Sequence, residues 1–252
     1  QNVSFSKNKK IESVDELKIN ITNNNNKPNK LELKKNKNNY SITSEIFDGT
    51  KLVDEILFSK EDTNFFDLFN NLNSDISIKI DTAYLNSEDY LEFLDTKLTI
   101  KNNKIFNLNL LSNFPSNDEF KVSVRTNKNE EKITTVFTNN AKPLVKKYKF
   151  IKGFEGGNLD FSSKKINNVS KSKLIIDNFK VKEVPVLAKL LTLASLQGIA
   201  DILSGEGIRF TEFEMNFKNE GNLMTIDEIY AIGPAISILM EGYVEKNKLI
   251  SL

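Results

Sequence analysis

The sequence has no cysteine, no histidine and no tryptophan. Without cysteine there is no disulfide, no thiol nucleophile and no thiolate metal site. Without histidine the commonest general acid/base and metal ligand is missing. Ser-His-Asp hydrolases, Cys-His enzymes and ordinary zinc centres are therefore excluded. Charge of one sign is also missing: 35 basic residues face 34 acidic ones, a net +1. Nucleic-acid binding domains carry a basic excess, so no nucleic-acid partner is expected. Carboxylates, lysines and tyrosines remain for chemistry, and no spacing singles out a catalytic set. No cofactor or metal motif is present, and the chain is read as not an enzyme. No Asp-x-Asp-x-Asp-Gly calcium loop occurs. The glycines Gly153, Gly156 and Gly157 lack the Gly-Lys-Ser/Thr ending of a phosphate loop and read as a turn into a strand at 158–161.

What the 252 residues do contain is alternation. Leu17, Ile19 and Ile21 alternate with Lys18 and Asn20. Ile76, Ile78 and Ile80 alternate with Ser77 and Lys79, and Phe120, Val122 and Val124 with Lys121 and Ser123. Leu98 and Ile100 flank Thr99, and Phe106, Leu108 and Leu110 are separated by two asparagines. Period two puts one apolar and one polar face on each strand. Turn signals lie between the runs at Asp48-Gly49, Asn102-Asn103, 127–130 and Glu220-Gly221-Asn222. The expectation is a mainly β chain: a long antiparallel meander with a few short helices. Ile76, Ile78, Ile80, Leu98, Ile100, Phe120, Val122 and Val124 should share one sheet face, bordering a core or a cleft.

Helical spacing is sparse. Phe65, Phe66, Leu68, Phe69 and Leu72 follow a capping Asp62-Thr63, and Pro143 opens a short helix over 142–148. The longest apolar stretch begins at Pro185 and ends before Gly205. It has the length of a membrane span, but it contains Lys189, Gln197, Gly198 and Asp201. Two short helices broken near 195–198 and packed on apolar surface fit it better, with Leu187, Leu190, Leu191 and Ile199 buried. Glu212 and Glu214, on one strand face, read as a solvated surface. Lysine makes up 33 of the 35 basic residues, and asparagine is abundant. AT-rich codons account for both.

One region carries a more specific pattern. Phe179 and Pro185-Val-Leu-Ala-Lys-Leu-Leu are followed by Ala194-Ser195, Gly198, Asp201 and Leu203. Gly205-Glu206-Gly207-Ile208, Phe210, Gly233-Pro234-Ala235-Ile236 and Gly242 come after. Over about 155–245 the chain resembles the AsmA-like region of YhdP-type proteins, grouped with AsmA and TamB in the envelopes of double-membrane bacteria. The resemblance implies a strongly curved sheet folded into an open groove or trough. It divides the chain into an amphipathic meander over 1–150 and an AsmA-like segment over 151–252, with a helical insert at 185–204. It implies a piece of a longer periplasmic protein, anchored in the inner membrane through an N-terminal helix not in this sequence. Its expected partners are phospholipid acyl chains and, through missing parts, the inner and outer membranes. The groove-lining residues would be the eight apolar positions named above, with Leu187, Leu190, Leu191 and Ile199 on a helix packed on the groove. The family brings no catalytic residues. A structural or assembly-assisting periplasmic β protein that moves no lipid is the alternative.

Overall fold

The computed structural model describes residues 3–22, 27–50, 65–148, 153–182, 205, 207–245 and 249–251. The chain forms two units, 1–126 and 127–252. Among the described residues both are built from strands with almost no helix.

In the first unit a small hairpin, β1 (Val3–Phe5) and β2 (Ile11–Val14), stands apart from the main sheet. The sheet holds β3 (Glu16–Thr22), β4 (Pro28–Asn36), β5 (Asn39–Asp48), β6 (Ser74–Tyr84), β7 (Tyr90–Lys101), β8 (Lys104–Asn113) and β9 (Glu119–Thr126), side by side in chain order. β3 and β9 do not pair with each other, so the sheet is open rather than a barrel. Tight turns explain most of this order. Asn102 and Asn103 take φ of 50° and 61°, the left-handed pair that a two-residue hairpin needs and that asparagine tolerates.

One junction departs from the meander. β5 and β6 are parallel, with Tyr40 opposite Ile76 and Asp48 opposite Tyr84. Asp48-Gly49 is therefore not a hairpin turn. A parallel pair requires a crossover of a dozen or more residues, which the stretch 49–73 supplies. The helical spacing noted there appears, within the described residues, as a single 3-10 turn at Phe65–Leu68.

The second unit places β10 (Lys132–Thr138), β11 (Phe154–Ile166), β12 (Val169–Val181), β13 (Ile208–Glu220), β14 (Leu223–Ile232), β15 (Ser237–Glu245) and β16 (Leu249–Ser251) in chain order, all antiparallel. The short helix α1 (Lys142–Tyr148) packs on β11, and the Ala141 N–H donates to the Gly157 carbonyl. Strand β11 starts at Phe154, earlier than the sequence suggested, because Gly156 and Gly157 form an irregularity inside it. Their φ values are 74° and 82°, and Asn178 across the pair takes 54°. These left-handed residues interrupt the alternation, so Phe154, Phe179 and Val181 join Leu159 and Ile176 in one buried cluster. The stretch 183–204, which includes Leu187, Leu190, Leu191 and Ile199, lies outside the described residues. Its flanks are placed: Val181 pairs with Ile208, so the chain leaves the sheet and returns to it at opposed positions.

Candidate functional site: the apolar sheet faces

Strand register decides which side chains share a face, because successive residues point to opposite sides. In the first unit Tyr40 lies opposite Ile76, Ile76 opposite Leu98, Leu98 opposite Leu108 and Leu108 opposite Val124. The next row on that face is Ile42, Ile78, Thr96, Leu110 and Val122. A third row brings Ser44 to Ile80 and Leu94, while Ser112 faces Phe120. Ile100 follows Leu98 on the same side and pairs with Ile105. The eight positions singled out by alternation thus lie on one face. The reverse face carries Asp75, Ser77, Lys79, Lys97, Asn109 and Ser123.

Six of the eight are buried: Ile76, Ile80, Leu98, Ile100, Phe120 and Val124. Ile78 and Val122, in the middle row, are half-buried. Described segments outside the sheet join this face: the crossover, whose Leu72, Phe66 and Phe69 pack with Tyr40, Ile76, Leu98 and Ile100, and the β8–β9 connection, whose buried Phe114 lies 5.7 Å from Phe120 between ring centroids. Thr96 breaks the apolar lining. It is 3% exposed, and its hydroxyl has no hydrogen-bond partner.

A recess of about 820 Å³ opens on the first unit. Two polar rows spanning β6 to β9 border it, Ser77–Lys97–Asn109–Ser123 and Asp75–Thr99–Asn107–Arg125, together with the single apolar row between them. The middle apolar row does not. Since Ile76, Leu98 and Val124 bury their side chains toward the other face, the recess lies on the polar side. It holds hydroxyls, amides and the cations Lys97 and Arg125, and is separate from the apolar face.

The second unit builds its apolar face around aromatics. Phe179 stacks on Phe154 at 5.0 Å and on Phe210 at 5.2 Å between ring centroids, and meets Phe213 edge-on at 6.4 Å. The glycines of the sequence pattern have steric roles at this end. A Cβ at Gly207 would lie 2.9 Å from the Val181 carbonyl oxygen, and one at Gly233 only 2.2 Å from that of Arg209. Ile208 and Phe210 are buried beside them. The described part of the pattern is thus a packing unit formed by the ends of β12, β13 and β14.

The opposite face of that unit holds a polar cluster that a simple solvated surface does not describe. The Glu214 side chain is only 12% exposed, with the Lys173 ammonium 2.8 Å away. The Asn216 amide donates to it, and the Tyr230 hydroxyl lies 2.8 Å from Glu212 and 3.2 Å from Glu214. Hydrogen bonding from Lys173, then from Asn216, holds the Glu214 pKa below its ordinary value. The hydrogen bond to Glu212, with desolvation and the two carboxylate charges, pushes Tyr230 up to about 12. Both shifts lead away from neutrality, opposite to what proton-transfer catalysis needs. Among the described residues no group of acidic side chains is placed to hold a metal ion, and no helix is long and apolar enough to cross a membrane.

Comparison of the chain with protein-family models, with curated proteins and with solved structures finds no match in any of the three.

Proposed function

We propose that this chain is a segment of an AsmA-like envelope protein, and that its apolar sheet face carries phospholipid acyl chains through the periplasm between inner and outer membranes. The observation that supports this reading is the register-aligned apolar face of the first unit. It runs across strands from β5 to β9. An acyl chain lying on such a face is held by area removed from water, about 25 cal/mol per Å². The chain can slide without chemistry, since the attraction is non-directional. Head groups would remain in water beside the lysine-rich polar positions.

A photo-crosslinking residue at Ile78 or Val122 tests the proposal in cells. Both positions are half-buried on the apolar face, whereas Lys79 and Ser123 lie on the reverse side. Phospholipid capture at the first pair and not at the second is the expected result. Equal capture at all four positions, or none at Ile78 and Val122, would remove the lipid path. The structural, non-transporting alternative gains if crosslinks at Ile78 and Val122 go to protein instead.

A further inference from the structure

The crossover between β5 and β6 ends in a segment that occupies part of the face assigned above to acyl chains. Leu72 is buried in one cluster with Tyr40, Ile76, Leu98 and Ile100, and Phe66 and Phe69 pack against it. These sheet residues belong to the first apolar row and its neighbour Ile100. The middle row, with Ile78 and Val122, is the more exposed.

Several polar contacts fasten the segment, three of them from the turn residue Asn103. The side-chain oxygen of Asn103 accepts the Leu72 N–H at 2.5 Å, and its amide nitrogen donates to the Phe69 carbonyl at 3.0 Å. The Asn103 backbone N–H donates to the Leu72 carbonyl at 3.1 Å. Beside it the Asn102 N–H donates to the Asn73 side chain at 3.0 Å. The other side of the segment is tied to the β1–β2 hairpin, where the Asn70 N–H donates to the Ile11 carbonyl at 2.7 Å. The strap is therefore attached through polar contacts at the β7–β8 turn, while its Phe66, Phe69 and Leu72 supply the apolar contact with the sheet.

We infer that residues 66–72 form a strap, latched by Asn103, that competes with acyl chains for the row containing Ile76 and Leu98. The inference rests on the lipid-conduit reading for its ligand, but not for the latch. Rows two residues apart on a strand are about 7 Å from each other, so a docked strap leaves the middle row as the acyl lane. Releasing the strap adds the neighbouring row and widens the lane. Displacement exchanges one apolar contact for another, so a lipid chain can replace Leu72 and the two phenylalanines at little net cost in buried area. The hydrogen bonds from Asn103 then bias the equilibrium toward the closed form.

Asn103→Gly is the informative variant. Glycine suits the positive φ of this turn position and removes only the side-chain latch. The chain has no cysteine, so a thiol introduced by Leu98→Cys reports on that position alone. Adding Asn103→Gly should speed maleimide labelling of the thiol by roughly tenfold or more, the factor expected for two lost hydrogen bonds, while the melting transition stays cooperative. Hydrogen exchange at the Leu72 amide, measured without the cysteine, should accelerate in parallel. With phosphatidylethanolamine vesicles, a photo-crosslinker at Leu98 should capture lipid in Asn103→Gly and little in the parent, and one at Ile78 should capture it in both. Unchanged labelling together with unchanged Leu72 exchange would overturn the latch. Faster labelling with lipid captured at Ile78 but never at Leu98 would overturn the competition and leave the conduit reading intact. No capture at Ile78 in either protein would overturn the conduit reading, and with it lipid as the competitor.

Discussion

Phe179 lies almost parallel to Phe210, with ring centroids 5.2 Å apart and planes 14° from parallel. The stack continues to Phe154 on the other side of Phe179. Three aromatic rings from three adjacent strands meet because the backbone beside them carries no side chain at Gly157. A Cβ there would sit 3.1 Å from the Ile176 Cγ2, 3.2 Å from the Phe179 Cβ and 3.3 Å from the Phe154 ring.

Gly157→Ala should accordingly destabilise the second unit by roughly 2–4 kcal/mol, combining a left-handed backbone with overpacking. Gly221, with φ of 59° and nothing within 4 Å of its would-be Cβ, is the control. There alanine bears only the backbone cost, about 1–2 kcal/mol. Urea denaturation of both variants measures the difference. Equal losses would mean that the aromatic stack yields freely at Gly157.

Thr96→Val should stabilise the first unit by about 1 kcal/mol. Valine keeps the branched shape and removes a buried hydroxyl that has no partner. A rise in the denaturation midpoint with an unchanged slope is the expected signature. A fall would show that the hydroxyl is satisfied in solution.

Tyr230 and Glu214 make opposite contributions to the pH dependence of stability. The folded pKa of Tyr230 is raised to about 12, so its contribution is complete below the ordinary tyrosine value and is lost as pH rises from there through about 12. Glu214 has a lowered pKa, so its contribution is complete above the ordinary carboxylate value and is lost as pH falls through the folded one. Alkaline titration of tyrosinate absorbance should show a late-ionising component, and Tyr230→Phe should remove it. Persistence of the late component in Tyr230→Phe would assign it elsewhere.

The sheet was legible because alternation is a local property. Ile76, Ile78 and Ile80 declare their face without reference to any other strand, and register then aligns them with Leu98 and Val124. Asn102-Asn103 and Gly221 were legible for the same reason, since a tight turn is fixed by its own residues. Three features were not. Asp48-Gly49 has the chemistry of a hairpin turn, and only the distant pairing of Tyr40 with Ile76 shows that the chain crosses over instead. Gly156 and Gly157 read as a turn because the compensating Asn178 lies on the next strand. Glu212 and Glu214 read as solvated because Tyr230 and Lys173, which partner them, come from strands on either side. Thr96 was invisible as a site residue, since a threonine among apolar neighbours looks like any β-former.

The parallel pairing of β5 with β6 also separates the first unit in time. From β6 through β9 each strand can zip onto its predecessor across a short turn, a microsecond event for an isolated hairpin. Joining β5 to β6 must close the connection 49–73, an entropic cost on the order of 2 kcal/mol beyond that of a tight turn. No pairing energy offsets it until the ladder from Tyr40 to Asp48 begins to form. The hairpin of β4 and β5 with β3 is thus expected to dock last and to detach first. Under mild denaturant its amides should exchange through a sub-global opening that leaves β6–β9 protected.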